Sequence, residues 1–358
     1  MASLEIPSRR ICLVLPSGIG DVVHGLPLVN ALKRDDPDRH ITWIVEPTPA
    51  PLLQHHPAVD DVILFDHRQG LGAALALRRE LRRRNFDLLI NCGLYFKTVL
   101  PTLFARARLK LGYGRDRAND LIWLFVDRLP PRGPRHRQDM YLEFLEPLGV
   151  TAEPVEWRIV IGERERAAAA EFFAGLRPER VAGIVTTSAM DAKDWAVDRL
   201  AAVATALERD FGFLVVLLGG PGRRETERAR QVAMLSEART VWALGPDLRW
   251  LIGLIEGCDL VIAPDTGPLH IARALGTPVI GLYGHTDPLR AGPYRAFQDL
   301  TIDRFNLEAE GRPYAGPLER EHPGRAGARH RMGSITVADV LERVEVAIGR
   351  YLLPEASL

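Results

Sequence analysis

Cysteine is scarce in this sequence, long apolar runs are missing, and there is no excess of either charge. The three cysteines, Cys12, Cys92 and Cys258, each stand alone in an apolar run. No two have the spacing of a zinc site or a disulfide framework, so they read as buried thiols of a reducing compartment. No uncharged apolar stretch approaches the roughly 18 residues of a membrane span. The start, MASLEIPSRR, leads into ICLVLP. That run is too short for a signal-peptide core and has no small-residue cleavage site, which makes the cytoplasm the expected location. Lys+Arg and Asp+Glu both total 46, so no global charge points to nucleic acid. A GxGxxG turn is absent, which disfavours a nicotinamide dehydrogenase. No His/Cys cluster has ligand spacing, and no Asp-x-Asp follows a strand in the second half. Neither a metal nor a cofactor is expected.

What is present is apolar residue in short, regular blocks. With 358 residues, 47% of them hydrophobic, the chain is long enough for two cores. The first half offers strands at 11–15, 41–45, 62–65 and 88–91, with helices near 22–34 and 71–85. The second half offers strands at 181–186, 214–218, 260–263 and 279–283, with helices near 196–211, 225–235 and 269–275. Short apolar runs alternating with helices describe buried parallel strands. Two such arrays in succession describe an α/β protein of two doubly wound domains. Their junction is expected at 160–178, where 163–176 reads as helix. Residues 306–332, rich in Gly, Pro, Arg and Glu, read as a long surface loop. After it, 335–353 is amphipathic again.

Three segments carry chemistry. In the first, ICLVLP ends in Ser17-Gly18-Ile19-Gly20-Asp21 before a helix. Gly18 and Gly20 let the backbone turn where the strand stops, at the edge where open α/β sheets bind ligands. Asp21 has two readings: an acid facing a helix dipole, or a general base facing an acceptor hydroxyl. An acid at that mouth repels a pyrophosphate, so phosphates are expected elsewhere. In the second segment a buried strand runs into Asp265-Thr266-Gly267-Pro268-Leu269-His270. Pro268 suits the first turn of a helix, and the N–H groups of Thr266, Gly267 and Leu269 can cradle a diphosphate at its N-terminus. Asp265 then points at sugar hydroxyls. Ordinary N-capping by Asp265 or Thr266, and packing by His270, are the plainer alternatives. In the third segment Ser188 and Lys193 follow the strand at 181–186. An ammonium there can neutralise a leaving diphosphate without a metal, although a solvated loop lysine has the same appearance. Trp195 reads as core.

Together, in this order, the segments resemble glycosyltransferase family 9, the ADP-heptose:lipopolysaccharide heptosyltransferases. The resemblance rests on Gly20-Asp21-Val22-Val23-His24-Gly25-Leu26-Pro27, on Lys193-Asp194-Trp195, and on Asp265 to His270 with Ala274-Leu275-Gly276-Thr277-Pro278. Gly281 to Pro288 extend it. It implies the GT-B fold, two Rossmann-like domains facing across a cleft. Residues 1–162 would be the acceptor-binding domain, 178–334 the nucleotide-sugar domain, and 335–353 a helix returning to the first. It implies Asp21 as the catalytic base. Ser188, Lys193, Glu225, Asp265, Thr266, Gly267, Leu269 and His270 fall on the donor side, and Gly20 and His24 on the acceptor side. The sequence departs from the family at Leu15, where a basic residue is frequent, at Arg223-Arg224 before Glu225, and in lacking a late cysteine cluster.

From Arg78 to Arg137 fifteen Lys/Arg face five Asp/Glu. Such an excess in a neutral protein marks either a solvated helix face or a patch for an anionic acceptor or membrane surface. Arg78, Arg79 and Arg82 are the expected acceptor contacts in it. Aromatics are not interleaved, which speaks against RNA. The function expected is inverting transfer of a sugar, heptose by resemblance, from a nucleotide-diphosphate donor such as ADP-heptose. The acceptor is an anionic saccharide or lipopolysaccharide core, reached at the cytoplasmic face with peripheral contact to the inner membrane. A nucleotide-sugar epimerase and an inactive nucleotide-sugar-binding protein are the alternatives.

Overall fold

The computed structural model describes residues 9–118, 121–130, 133, 135–176, 179–245, 247–306 and 331–353. Most of the loop expected at 306–332 lies outside the described residues. The chain divides into two compact units, Met1–Val160 and Ile161–Leu358.

In the first unit β1 (Arg10–Val14), β2 (His40–Val45), β3 (Asp61–Leu64), β4 (Phe86–Asn91), β5 (Ala107–Gly112) and β6 (Asp127–Arg128) form one sheet in the order β3-β2-β1-β4-β5-β6. Every pairing is parallel. α1 (Ile19–Asp35), α2 (Gly70–Arg82) and α3 (Val99–Phe104) are the crossovers, and α4 (Arg137–Leu142) follows the last strand. The central strands read as continuous apolar runs because both faces are covered. Ile11, Leu13, Trp43, Ile44, Leu89 and Ile90 have no accessible surface.

The second unit opens with α5 (Glu163–Ala174). Its strands are β7 (Arg180–Val185), β8 (Phe213–Gly219), β9 (Thr240–Leu244), β10 (Leu260–Pro264), β11 (Val279–Tyr283) and β12 (Thr301–Asp303), in the order β12-β11-β10-β7-β8-β9. Counted from β7, this is the first unit's topology again, the doubly wound order 3-2-1-4-5-6. Sequence shows no internal repeat; the two units share only the path of the chain. The helices are α6 (Val197–Arg209), α7 (Arg223–Leu235), α8 (Leu248–Glu256), α9 (Gly267–Leu275) and α10 (Pro288–Ala291). Gly276, at φ +83°, closes α9 in the left-handed conformation that glycine adopts without strain.

The final helix, α11 (Val337–Ala347), starts with a capping box between Thr336 and Asp339. Asp339 also takes Arg304 at 2.6 Å. Trp195 Nε1 donates to the Ile335 carbonyl at 3.1 Å, so the buried indole pins the entry to this helix as well as filling core. All of these partners belong to the second unit. So does Asp299, which holds Tyr351 and Arg350 at the far end. These bonds hold the segment to the second unit.

Gly25 shows how closely α1 lies on its sheet. A Cβ there would stand 2.8 Å from the Trp43 ring and 3.0 Å from Leu15 Cδ2. Leu15, the family departure, is fully buried against this helix. A side chain that does not fit a rigid core forces costly shifts. Gly25→Ala is therefore expected to destabilise the protein by about 1–3 kcal/mol. Urea unfolding would show this as a lower midpoint at unchanged slope.

Candidate active site

All three chemical segments emerge at the carboxyl ends of strands beside a topological switch point, where the order of a doubly wound sheet reverses. In the first unit that point lies between β1 and β4. In the second it lies between β7 and β10.

At the first, β1 ends and Gly18 enters α1 in an extended conformation, with no side chain capping the helix. Gly20 and Asp21 fall in its first turn. Asp21 is approached from three sides. Ser17 Oγ donates to Oδ2, Tyr141 Oη donates to Oδ1 at 3.2 Å, and Arg137 Nε lies 3.7 Å from Oδ1. The side chain is still 34% exposed, so a ligand can reach it. Burial opposes the charge on Arg137, but Asp21 and the surrounding tyrosines outweigh it and hold the guanidinium protonated. Burial, and then the charge of Asp21, push the Tyr141 phenol well up, keeping it a hydrogen-bond donor. Lys97 adds an ammonium 3.4 Å from Ser17 Oγ and 3.1 Å from Glu46.

Sequence reasoning found Asp21 but not Arg137, Tyr141 or Lys97. Arg137 and Tyr141 are four apart, one turn of α4, so both face the same way. That spacing was the available signal, but α4 is only six residues long and leaves no clear periodicity.

The other acceptor-side residues have surroundings different from those of Asp21. His24 is 4% exposed and holds α1 to α4: its Nδ1 lies 3.3 Å from Gln138 Oε1, and Gln138 Nε2 donates to its carbonyl at 2.7 Å. It is a packing residue. Arg78, Arg79 and Arg82 are exposed on the second half of α2. This helix starts at the carboxyl edge of the sheet and runs back toward the strand N-termini. At 1.5 Å per residue they lie about 12–18 Å from its start, away from the edge that carries Asp21.

In the second unit the two separate segments meet. Lys193 Nζ donates to Asp265 Oδ2 at 2.6 Å, and His270 Nε2 lies 3.3 Å from Oδ1. Asp265 is only 9% exposed. Burial alone would raise its pKa, but the His270 contact and the Lys193 charge overcome that and hold the carboxyl well below the usual range. His270, read as either packing or ligand, orients this carboxylate.

Thr266, at φ −153°, precedes the first turn of α9 and makes no side-chain cap. Among the described residues no hydrogen bond occupies the N–H of Thr266 or of Gly267. Leu269 differs from expectation. Its N–H donates to the Thr266 carbonyl at 3.1 Å, the tight turn common at helix starts, which leaves two free donors rather than three.

Ser188 is almost fully buried and is fixed by Asp194. The carboxylate accepts from Ser188 N at 2.8 Å and from its Oγ at 3.1 Å. Arg224 donates to Asp194 and, at 2.8 Å, to the Ser188 carbonyl. Arg228 bonds the Thr186 carbonyl at 2.8 Å. Arg224, one of the two arginines that depart from the family pattern before Glu225, therefore braces the β7 loop together with Arg228. Glu225 itself lies in the first turn of α7, its carboxylate folded over Gly222. Among the described residues no group of three or more His, Cys, Asp or Glu could hold a metal ion.

The comparisons fit this geometry. The model of glycosyltransferase family 9 (heptosyltransferase) matches residues 74–307. The chain is 32% identical to the lipopolysaccharide core heptosyltransferase OpsX of Haemophilus influenzae over 310 residues, 85% of this chain and 88% of that protein. Among solved structures it resembles a glycosyl transferase family 9 protein from Veillonella parvula, with TM-score 0.79 and 24% identity over 97% of this chain and 99% of that one. It also resembles the E. coli heptosyltransferase WaaC with ADP-2-deoxy-2-fluoro heptose, with TM-score 0.66 and 24% identity over 78% of this chain and 90% of that one.

Proposed function

The chain belongs to glycosyltransferase family 9 and is a glycosyltransferase of GT-B fold, and from that premise we propose that it transfers heptose from ADP-heptose to an anionic lipopolysaccharide-core saccharide. The observation that carries this reading is the pair Lys193–Asp265 at the head of α9, beside the unoccupied N–H groups of Thr266 and Gly267. An ammonium and two aligned amides supply positive potential for a diphosphate, and a fixed carboxylate beside them accepts from sugar hydroxyls. Lys193 has three protons and spends one on Asp265, so two remain for phosphate oxygens.

In this mechanism the acceptor hydroxyl attacks the anomeric carbon while Asp21 removes its proton. The bond from the anomeric carbon to the diphosphate oxygen breaks, and Lys193 with the α9 amides takes up the charge of the departing ADP. Ser17, Tyr141 and Arg137 keep the Asp21 carboxylate aimed. Arg137 and Lys97 also give this edge a positive character suited to an anionic acceptor. Protein cations meet the leaving charge, so no divalent ion is needed.

The acceptor follows the lipopolysaccharide core heptosyltransferase relative. No helix among the described residues is long and apolar enough to cross a membrane; in this reading the enzyme meets its glycolipid acceptor by peripheral contact. Membership of a glycosyltransferase family decides against the epimerase.

The test is to incubate the protein with ADP-heptose in EDTA, with and without a lipopolysaccharide-core acceptor, and to measure ADP. Release is expected only with acceptor and at the same rate in EDTA. Release without acceptor would return the epimerase or a hydrolase, and dependence on a divalent ion would remove the mechanism.

A further inference from the structure

The basic residues that end α2 have no part in the site above. The helix carries them to the N-terminal edge of the first sheet. There Arg10 of β1, His40 and Thr42 of β2, and Arg83, Arg84 and Phe86 line a cavity of about 380 Å³. The length of β1, about 16 Å, separates this edge from the one carrying Asp21.

Charge in the cavity is unevenly spent. Arg84 is held by Glu80 at 2.8 Å and by Asp61 at 2.5 Å, and His40 Nε2 lies 3.0 Å from Asp61. Asp87 is occupied by the backbone N–H groups of Arg9 and Arg10. The three carboxylates at this rim are thus engaged. By contrast, the guanidiniums of Arg10 and Arg83 are exposed and have no acidic partner among the described residues. The carbonyl end of α2 opposes an anion here, but Arg82 and Arg83 close that same turn and exceed its partial charge of about half a unit.

A second observation is independent of charge. Thr42 is 1% exposed, and its hydroxyl has no hydrogen-bond partner. It stands opposite Cys12, on the sheet face that packs under Leu77 and Leu81 of α2. A buried hydroxyl left unpaired is costly, and because less than 1 Å² of its oxygen is accessible, an oxygen-rich ligand in this cavity satisfies it only as the lining side chains give way.

We infer that the cavity binds a phosphate group. Forked guanidinium donors match a tetrahedral oxyanion, and the Thr42 hydroxyl beneath them adds a neutral contact once the lining gives way. The space exceeds one phosphate, so the group arrives as an ester, either free in solution or as a lipid headgroup. The inference is independent of the sugar-transfer reading, since it uses none of those residues.

Two ligands distinguish the sources: inorganic phosphate by calorimetry, and phosphatidylcholine vesicles with and without phosphatidylglycerol by sedimentation. Each is compared between wild type and Arg10→Ala/Arg83→Ala. Phosphate held by the second unit is common to both proteins and cancels. At least one ligand is expected to bind about tenfold or more weakly to the double variant, from loss of charge-assisted contacts. Loss with phosphate identifies a free ester, and loss with vesicles alone identifies a headgroup. Thr42→Val changes no charge and should weaken the same ligand several-fold, which general surface attraction would not do. Equal affinities in wild type and the double variant, or full affinity in Thr42→Val, overturn the inference.

Discussion

Asp21→Asn is expected to lower turnover by about 10²–10⁴-fold, the usual contribution of a general base, while donor affinity stays at the wild-type value. The amide keeps the size of the carboxylate and one oxygen to accept from Tyr141, so the head of α1 should keep its shape. What it loses is the capacity to take a proton and the ion pair with Arg137. Donor binding is assigned wholly to the second unit, so it should be insensitive to this change. Steady-state kinetics with calorimetry of ADP-heptose binding separates the two quantities. Near-normal turnover would remove Asp21 from the reaction, and a joint loss of affinity and turnover would mean that Asp21 supports the donor site instead. Tyr141→Phe offers a milder comparison. It deletes one donor to Oδ1, so it should reduce kcat with little change in KM if the phenol only positions the carboxylate.

Much of this site was legible in sequence because its residues sit where local rules are strongest. Strands β1, β7 and β10 are short apolar blocks that end in glycine, serine or proline. The residue just past such an end in a parallel sheet is at the ligand edge whatever the rest of the chain does. Asp21, Ser188, Lys193 and Asp265 were all found in that way. The meeting of Lys193 with Asp265, 72 residues apart, was not legible from spacing. It depends on β7 and β10 being neighbours, which is a property of strand order. Arg137 and Tyr141 were missed for a related reason: α4 is a single short helix after an edge strand, and its orientation toward α1 is tertiary. Strands β5 and β9, like the very short edge strands β6 and β12, were also missed. ARLKLG and TVWAL are half-exposed, so charged or polar residues break the apolar run that marked the buried strands.

The arginine segment shows the opposite failure. Composition marked Arg78 to Arg84 correctly as an unusual concentration of charge, but composition has no direction. Only the course of α2, from the carboxyl edge of the sheet to the amino edge, shows that these residues and Asp21 lie at opposite ends of the same strands.

Lys193→Ala should change both binding and folding, because one ammonium serves both. Loss of a charge-assisted contact to the diphosphate is expected to weaken ADP and ADP-heptose by roughly 1.5–3 kcal/mol, about tenfold or more. Removing the cation also strands Asp265. A fully buried pair broken in this way costs about 3–5 kcal/mol. Here His270 remains and Lys193 keeps some solvent access, so about 2–3 kcal/mol is expected. The dependence on pH has a definite sign. The folded-state pKa of Asp265 is depressed from its ordinary 3.8, so its stabilisation is complete above that value and is lost as pH falls through the folded pKa. Without Lys193 the carboxyl moves back up, and the variant has less of this stabilisation to lose. Urea unfolding of the two proteins should therefore show a constant gap near neutrality that closes on the acid side, beginning around pH 4. A gap that stays constant into acid would mean that the Lys193–Asp265 pair does not carry the stability assigned to it. Equal ADP affinities in the two proteins would take Lys193 out of the donor site.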